Sequence, residues 1–489
     1  MTMIVEPEKT AVIDVGSNSV RLVVYFGTKR APLQFFNEKV VCGLGRDLAT
    51  SGVLHPGGRK RALAAIRRFV GIAERMGAAQ IHTVATAAVR NAKDGADFCD
   101  DVLLETNLSL RIVTGEEEGA LSAQGIFFCR PYASGLVCDM GGSSMELAQI
   151  GGGAVKVSKT SNLGPLQLQK LAGDEAALAT EIEGQLAELT VDFETQDTLY
   201  LIGGTIRAIA NLDMALKAYP LDVLNEYGMS AADFKGLLHW ILSAKSGQIE
   251  AMDAVASDRL AYVPMVAQVL LGLLDKIKPK QIVFSSFGIR EGVLYEKMQP
   301  RIQRRDPLIE ACQFFERSNA RFKEFGTTLY AWVLPLFASE SDDRKRLIWA
   351  ACLLHDVTWQ AHPNYRAEVS FDYATRANLV GLDHQERIFL AVALIHRYKN
   401  KPQIDKLDEL NILLADHDQA QAEVLGRVMR LGAMLGGPDV AHMGQLRIKG
   451  DQLELVLDEQ SAGLMGEVVE QRLAALAKAL GKSAKMRVE

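Results

Sequence analysis

The sequence predicts an α/β protein built from two matching halves and followed by a mostly helical C-terminal part, on three observations. The stretches Asp14-Val15-Gly16-Ser17-Asn18-Ser19-Val20-Arg21-Leu22 and Asp139-Met140-Gly141-Gly142-Ser143-Ser144-Met145-Glu146-Leu147 agree at Asp, Gly, Ser and Leu with constant offset, and each follows an apolar run. Strand patterns alternate with helical ones to about residue 298, which indicates α/β layering. Beyond Arg301-Ile302-Gln303-Arg304-Arg305-Asp306-Pro307 the pattern turns almost wholly helical, so the basic run and its proline read as a linker.

The two matching stretches each read as a buried strand, a glycine turn and a returning strand. Glycine allows backbone N–H groups to approach an anion closely, so Gly16, Ser17, Asn18 and Ser19 in one turn and Gly141, Gly142, Ser143 and Ser144 in the other are candidate phosphate nests. A carboxylate beside such a nest repels phosphate unless a divalent cation lies between them. Asp14, Asp139 and Glu146 are the candidate ligands, and Mg²⁺ suits carboxylate plus phosphate oxygen. Two units facing one another place two nests across a cleft.

Taken in order, Leu22 to Phe26 and Phe35 to Val41 read as further strands, the latter ending in Cys42-Gly43-Leu44-Gly45-Arg46. His55 to Gly77 has helical spacing, with Leu63, Ile66, Phe69, Val70 and Ile72 on one face and a basic remainder. The strand from Ile81 runs through small residues to Arg90, a candidate bidentate partner for phosphate. Leu110 to Thr114 then delivers Glu116, Glu117 and Glu118 into the first turn of a helix. Two of these are explained by the helix dipole, and the third is a candidate for activating a water. A strand from Ala154, an amphipathic helix from Leu166 to about Leu189, and the strand-to-glycine stretches at Gly203-Gly204 and Gly288 follow. The C-terminal part reads as helices over Leu308–Phe325, Thr327–Phe337, Arg344–His355, Gln385–Tyr398, Asp408–Asp416 and Ala420–Leu435, then a hairpin over Gln445–Leu457 and a closing helix over Glu467–Leu480. Within it His355-Asp356 is the pair seen in metal-binding helical hydrolases, but the preceding helix carries no histidine, so both are read as structural.

The bulk properties exclude several classes. With 489 residues the chain exceeds a single hydrophobic core, and 48% apolar with 23% charged residues leaves little room for long disorder. A net charge of -6 argues against a nucleic-acid coat. Six cysteines without C-x-x-C spacing fit reduced thiols in a cytoplasmic protein. Met1 to Thr10 carries no apolar signal core, and no long apolar run appears, so no membrane partner is expected.

Together, Asp14 to Arg21, Thr86 to Arg90, Thr114 to Glu118, Asp139 to Glu146 and Gly288 to Gly292 resemble the motifs of the exopolyphosphatase and guanosine pentaphosphate phosphohydrolase family of the actin-like ATPase superfamily. The resemblance implies two ribonuclease-H-like lobes closing over a cleft, at 1–130 and 131–300. It further implies an HD-like helical domain at 308–438, with 439–489 as a small α+β tail. Carried over by position, Glu118 matches the general base, Asp139 and Glu146 the cation-holding acids, Arg90 the cleft arginine and Arg259 a second phosphate-binding arginine. Ser143 stands where glycine is usual, and Ala261 where an acid usually follows Asp258-Arg259. The implied activity is hydrolysis of the terminal phosphoanhydride of inorganic polyphosphate, with guanosine pentaphosphate or tetraphosphate as the alternative substrate. The implied assembly is a homodimer. A superfamily sugar kinase leaves the Glu116–Glu118 cluster without a task, and a non-catalytic polyphosphate or alarmone sensor would not need Glu118, Asp139 and Glu146 intact.

Overall fold

The computed structural model describes residues 8–489 except 251 and 403. The side chains of Ser246, Asp258 and Asp405 also lie outside the description, as do the first seven residues of the segment read for a signal. Two compact units result, one comprising the residues up to Tyr219 with Val223–Arg305, the other Pro220–Asp222 with Asp306–Glu489.

The first unit contains two sheets. Strands β1 (Lys9–Val15), β2 (Ser19–Gly27), β3 (Pro32–Val41) and β4 (Ala78–Ala85) form a four-stranded sheet in the order β3-β2-β1-β4. The β1, β2 and β3 pairings are antiparallel, and β4 joins β1 in parallel. The second sheet contains β5 (Gly135–Met140), β6 (Met145–Gly151), β7 (Ala154–Ser161), β8 (Thr198–Gly203), β9 (Tyr227–Ser230) and β10 (Gln281–Phe284), in the order β7-β6-β5-β8-β10-β9. Its first four strands repeat the first sheet in order and sense, so the duplication read from two turns extends through four strands. The returning strand β2 begins at Ser19 and continues through Gly27, longer than the segment expected from Leu22.

Helices cover the sheets where the apolar periodicity places them. Helix α1 (Pro56–Arg75) buries Ala62, Ile66, Phe69 and Ala73 against the first sheet and leaves its basic face in solvent. Helices α2 (Ala87–Asn91) and α3 (Gly115–Cys129) follow, then α4 (Glu175–Thr190), α5 (Gly204–Leu216), α6 (Val263–Ile277) and α7 (Ile289–Glu296). The continuous helix expected over Leu166–Leu189 is a correction. A short turn of helix spans Pro165–Leu168, and α4 starts afresh because Gly173 takes φ +102° and the Asp174 carboxylate caps Ala177.

Glycine governs one contact within this unit. Helices α3 and α7 pack so closely that a Cβ on Gly125 would lie 2.4 Å from the Gly288 carbonyl oxygen, and one on Gly292 would lie 1.8 Å from that of Leu121. Around this crossing Tyr25 donates to Glu291 at 2.6 Å, and the buried Arg30 guanidinium donates to the Phe128 and Phe127 carbonyls at 2.7 and 3.1 Å.

The second unit is mostly helical: α8 (Pro307–Asn319), α9 (Phe325–Val333), α10 (Asp342–Leu354), α11 (Arg366–Arg376), α12 (His384–Tyr398), α13 (Asp416–Leu435) and α14 (Glu467–Ala479). Helix α12 is buried nearly all round between α11 and α13, as a central helix must be. The helix expected to run from Leu308 to Phe325 stops at Asn319, and α9 begins at Phe325. The chain does not close on a helix either. Strands β11 (Gly444–Lys449) and β12 (Gln452–Leu457) form the expected hairpin, and β13 (Ser483–Val488) adds in parallel to β12. His355 and Asp356 are buried and engaged, His355 Nδ1 with the Cys352 carbonyl at 2.7 Å and Asp356 in a two-pronged pair with Arg321 at 2.7 Å each. Arg344 and Arg346 are held in ion pairs with Asp418 and Asp306. Among the described residues no helix is long and apolar enough to cross a membrane.

Candidate active site

Each half contributes one hairpin turn, and the two are built alike. The Gly16 N–H donates to the Ser19 carbonyl at 3.0 Å, and the Gly141 N–H donates to the Ser144 carbonyl at 3.0 Å. The bracing is also repeated. Gly45 N–H donates to the Ser17 carbonyl and Leu166 N–H to the equivalent Gly142 carbonyl, both at 2.8 Å. Gly45 and Gly164 allow these approaches: a Cβ on Gly164 would lie 2.3 Å from the Ser144 nitrogen, and one on Gly45 would lie 3.3 Å from the Ser17 Cβ. The turns face one another directly, because the Ser143 hydroxyl donates to the Ser17 hydroxyl at 3.0 Å. Ser143 thus supplies the bridging hydroxyl.

The carboxylates Asp14, Glu118, Asp139 and Glu146 gather close enough to act on one another. Thr114 caps α3 in a reciprocal box with Glu117, whose carboxylate accepts from the Thr114 N–H at 2.8 Å. Glu116 is exposed, and Glu118, one residue further round, is 8% exposed. The dipole therefore accounts for two glutamates and leaves Glu118 facing inward. Arg90, at the end of α2, donates through Nη1 to the Val113 carbonyl at 2.8 Å and to Glu118 Oε2 at 2.9 Å. One turn along α3, Ser122 donates a short hydrogen bond to Asp139. Gly119 lets α3 lie against β6, since its Cβ would sit 3.0 Å from the Glu146 Cβ. Glu146 accepts from Thr160 at 3.0 Å through one oxygen, and its other, buried oxygen has no hydrogen-bond partner.

This crowding shows in the acidities. Burial pushes Glu118 up to about 7, with the Arg90 bond opposing and the charges of Asp139 and Asp14 adding. Burial, then the charges of Glu118 and Asp139, hold Glu146 well above the usual carboxylate range. Asp139 and Asp14 are raised for the same first reason, against the pull of nearby hydrogen bonds and arginines. Among the described residues no group of three or more His, Cys, Asp and Glu side chains is disposed to hold a metal by itself. The orphaned Glu146 oxygen and the mutual repulsion of the acids do fit a cation that completes its shell with water and substrate oxygens.

Near the acids lies a set of guanidinium groups, of which only Arg259 was expected as a phosphate-binding residue. Burial and the charges of Arg290, Arg21 and Arg259 act together to lower Arg207 to about 10, with Asp139 opposing. Arg290 is buried, and its Nε lacks a hydrogen-bond partner. Arg259 reaches over Gly204, where a Cβ would lie 1.8 Å from Nη1, so that glycine makes room for the guanidinium at the start of α5. One signal for Arg21 was present in the sequence: it occupies in the first hairpin the register position that Glu146 occupies in the second, opposite Asp14 and Asp139 respectively.

Two facing hairpin lobes of this topology define an actin-like fold. Solved structures agree: the Aquifex aeolicus Ppx/GppA family member superposes with a TM-score of 0.53 at 21% identity, covering 60% of this chain and 97% of that one. An exopolyphosphatase from Cytophaga hutchinsonii gives 0.53 at 22% identity over 59% of this chain and 97% of its own. The profile described as the Ppx/GppA phosphatase family matches residues 23–301, and one described as the C-terminal part of exopolyphosphatases matches residues 315–487. This chain belongs to the Ppx/GppA phosphatase family. Among curated relatives, retrograde regulation protein 2 of Saccharomyces cerevisiae is 23% identical over 86% of this chain and 78% of its own length. Exopolyphosphatase 1 of Mycobacterium tuberculosis is 23% identical over 59% of this chain and 88% of its own. The guanosine-5'-triphosphate,3'-diphosphate pyrophosphatase of Pseudoalteromonas atlantica is 23% identical over 88% and 86%.

Proposed function

We propose that this protein hydrolyses the terminal phosphoanhydride of inorganic polyphosphate, releasing orthophosphate and a chain one unit shorter. The observation that carries the reading is the meeting of the two glycine turns at Ser17 and Ser143, with Glu118 buried among Asp14, Asp139 and Glu146. In this account backbone N–H groups of residues 17–19 and 142–144 grip the terminal phosphoryl group, while those of Gly16 and Gly141, expected to join them, are spent closing the turns on the Ser19 and Ser144 carbonyls. Arg259, with Arg21, Arg207 and Arg290, offsets the charge of the phosphates behind it. Glu118, oriented by Arg90, takes a proton from the attacking water on the side away from the leaving oxygen. Phosphoryl transfer through a loose transition state asks mainly for such positioning and charge complementarity. Asp14, Asp139 and Glu146 would hold a divalent cation, Mg²⁺ by its oxygen preference, which when bound supplies neutralisation of phosphate oxygens. The division into lobes at 1–130 and 131–300, an HD-like ancestry of residues 308–438, the 439–489 tail, a cytoplasmic site of action and a homodimeric state belong to the same reading.

The second reading is a guanosine pentaphosphate phosphohydrolase, favoured by the longer shared coverage with the pyrophosphatase relative. Orthophosphate release from long-chain polyphosphate and from guanosine pentaphosphate, measured side by side at equal enzyme and Mg²⁺, separates them. A higher kcat/KM on polyphosphate is expected, and the reverse order rejects the first reading. Chelation of the cation should abolish both rates.

The acidity of Glu118 sets the pH dependence. A base must be unprotonated in the free enzyme, and Glu118 carries its proton below about 7. The kcat/KM profile is therefore expected to fall as pH drops through that region. Arg90 is the group that holds Glu118 down, so Arg90→Met should move the midpoint of the fall upward. A midpoint that stays in place would remove Glu118 from the role.

A further inference from the structure

A cavity of about 550 Å³ opens on the first sheet, away from the glycine turns. Its floor is a row of side chains. Thr10 on β1 pairs with Tyr25 of β2 on one side and with Gln80 of β4 on the other, and paired residues share a face of a sheet. Thr10 and Asp14 lie on the same face of β1, so the cavity sits about 13 Å along the strand from that aspartate. Leu294 of α7, with Met298, Ile302 and Pro32, supplies apolar walls. The Tyr25 hydroxyl, bonded to Glu291 at 2.6 Å, ties the floor to α7.

The lining divides by exposure. Lys29, Lys297 and Arg301 are exposed and form the mouth, while Thr10, His82 and the apolar walls are partly or fully buried. The cations at the mouth outnumber their counter-charges. Lys29 has no ion pair or side-chain hydrogen bond among the described residues, and Arg301 reaches the neutral Gln299 side chain at 2.9 Å. Lys297 lies 3.4 Å from Glu296, a carboxylate that Arg111 already grips at 2.6 and 3.1 Å. Glu8 is the one carboxylate among the described lining residues. Deeper in, burial and then the Lys297 charge, against that of Glu296, keep His82 neutral, so its ring offers one donor and one acceptor. An apolar interior with a few neutral hydrogen-bonding groups behind a cationic mouth suits a flat heterocycle that carries a phosphate. We infer that this cavity is a binding site for a nucleoside monophosphate, its base held inside against Leu294, Met298 and His82 and its phosphate at Lys29, Lys297 and Arg301. The site shares no residue with the hairpin turns or the acids, so the inference stands apart from the proposed hydrolysis.

The test is calorimetric titration of the full-length protein with AMP, GMP, CMP and UMP, each beside its own nucleoside and inorganic phosphate. One site per chain is expected, filled by at least one monophosphate at least tenfold more tightly than by its nucleoside or by phosphate alone. Lys297→Glu inverts a charge at the mouth, and Gln80→Trp lays an indole across the floor. Each should weaken the binding at least tenfold, and because both positions are exposed the variants should fold. Glu118→Gln should leave the binding as it is, which separates this site from the catalytic one. No binding by any of the four nucleotides, binding that survives either cavity variant, or binding lost with Glu118→Gln overturns the inference. Phosphate alone binding as tightly as the nucleotide overturns it as well.

Discussion

Glu118→Gln is expected to slow phosphate release by about 10²–10⁴-fold, the usual worth of a positioned general base, while substrate affinity changes little. The substitution keeps the size of the side chain and leaves an amide oxygen to accept from Arg90, as Glu118 Oε2 does at 2.9 Å. What it removes is proton affinity. Because the carboxylate is buried, bulk water is a poor substitute for it. Steady-state orthophosphate release combined with equilibrium binding of a non-hydrolysable analogue makes the measurement. A variant that retained activity within a few fold would show that the acid serves only to hold Arg90.

Gly292→Ala is the second large effect, and here the target is the packing of α3 on α7. In an ordinary helix the added methyl would help by roughly 0.5–1 kcal/mol. At this position it would lie 1.8 Å from the Leu121 carbonyl oxygen, a backbone atom that cannot swing aside. Overpacking of this kind costs about 1–3 kcal/mol and sometimes more, so the clash decides the sign. Moreover, α3 carries Glu118 and Ser122, so any retreat of the helix drags both away from Asp139. A lower urea midpoint and a lower kcat should appear together. Wild-type stability in the variant would mean that the two helices separate freely.

The duplication was legible because the same residue types recur at one constant offset, a signal that needs no knowledge of the fold. Glycine at 16 and 141 and aspartate at 14 and 139 recur at one spacing, and the repeat then proves to extend to four strands and to the bonds bracing each turn. Residue pattern alone left one of three glutamates as the candidate, and the family resemblance pointed to Glu118; the fold adds that Glu117 is consumed by the cap and Glu116 faces solvent. The arginine set was not, because Arg21, Arg207 and Arg290 come from distant strands and helices and only tertiary folding gathers them. Strand β13 escaped for a local reason. Ser-Ala-Lys-Met-Arg-Val is short, charged and largely exposed, as edge strands are, and so lacks a strong apolar run. The break before α4 depends on Gly173 at positive φ, which periodicity alone does not register.

One difference between the halves has a consequence for how a chain-like molecule is handled. Opposite the first aspartate stands Arg21, and opposite the second stands Glu146, at the same place in otherwise equivalent hairpins. Identical halves would present the same face to either end of a linear guest and could not distinguish its head from its tail. A cationic residue on one side and an acid on the other break that symmetry, and if the proposed polyphosphate hydrolysis holds, a single direction of entry is expected from it.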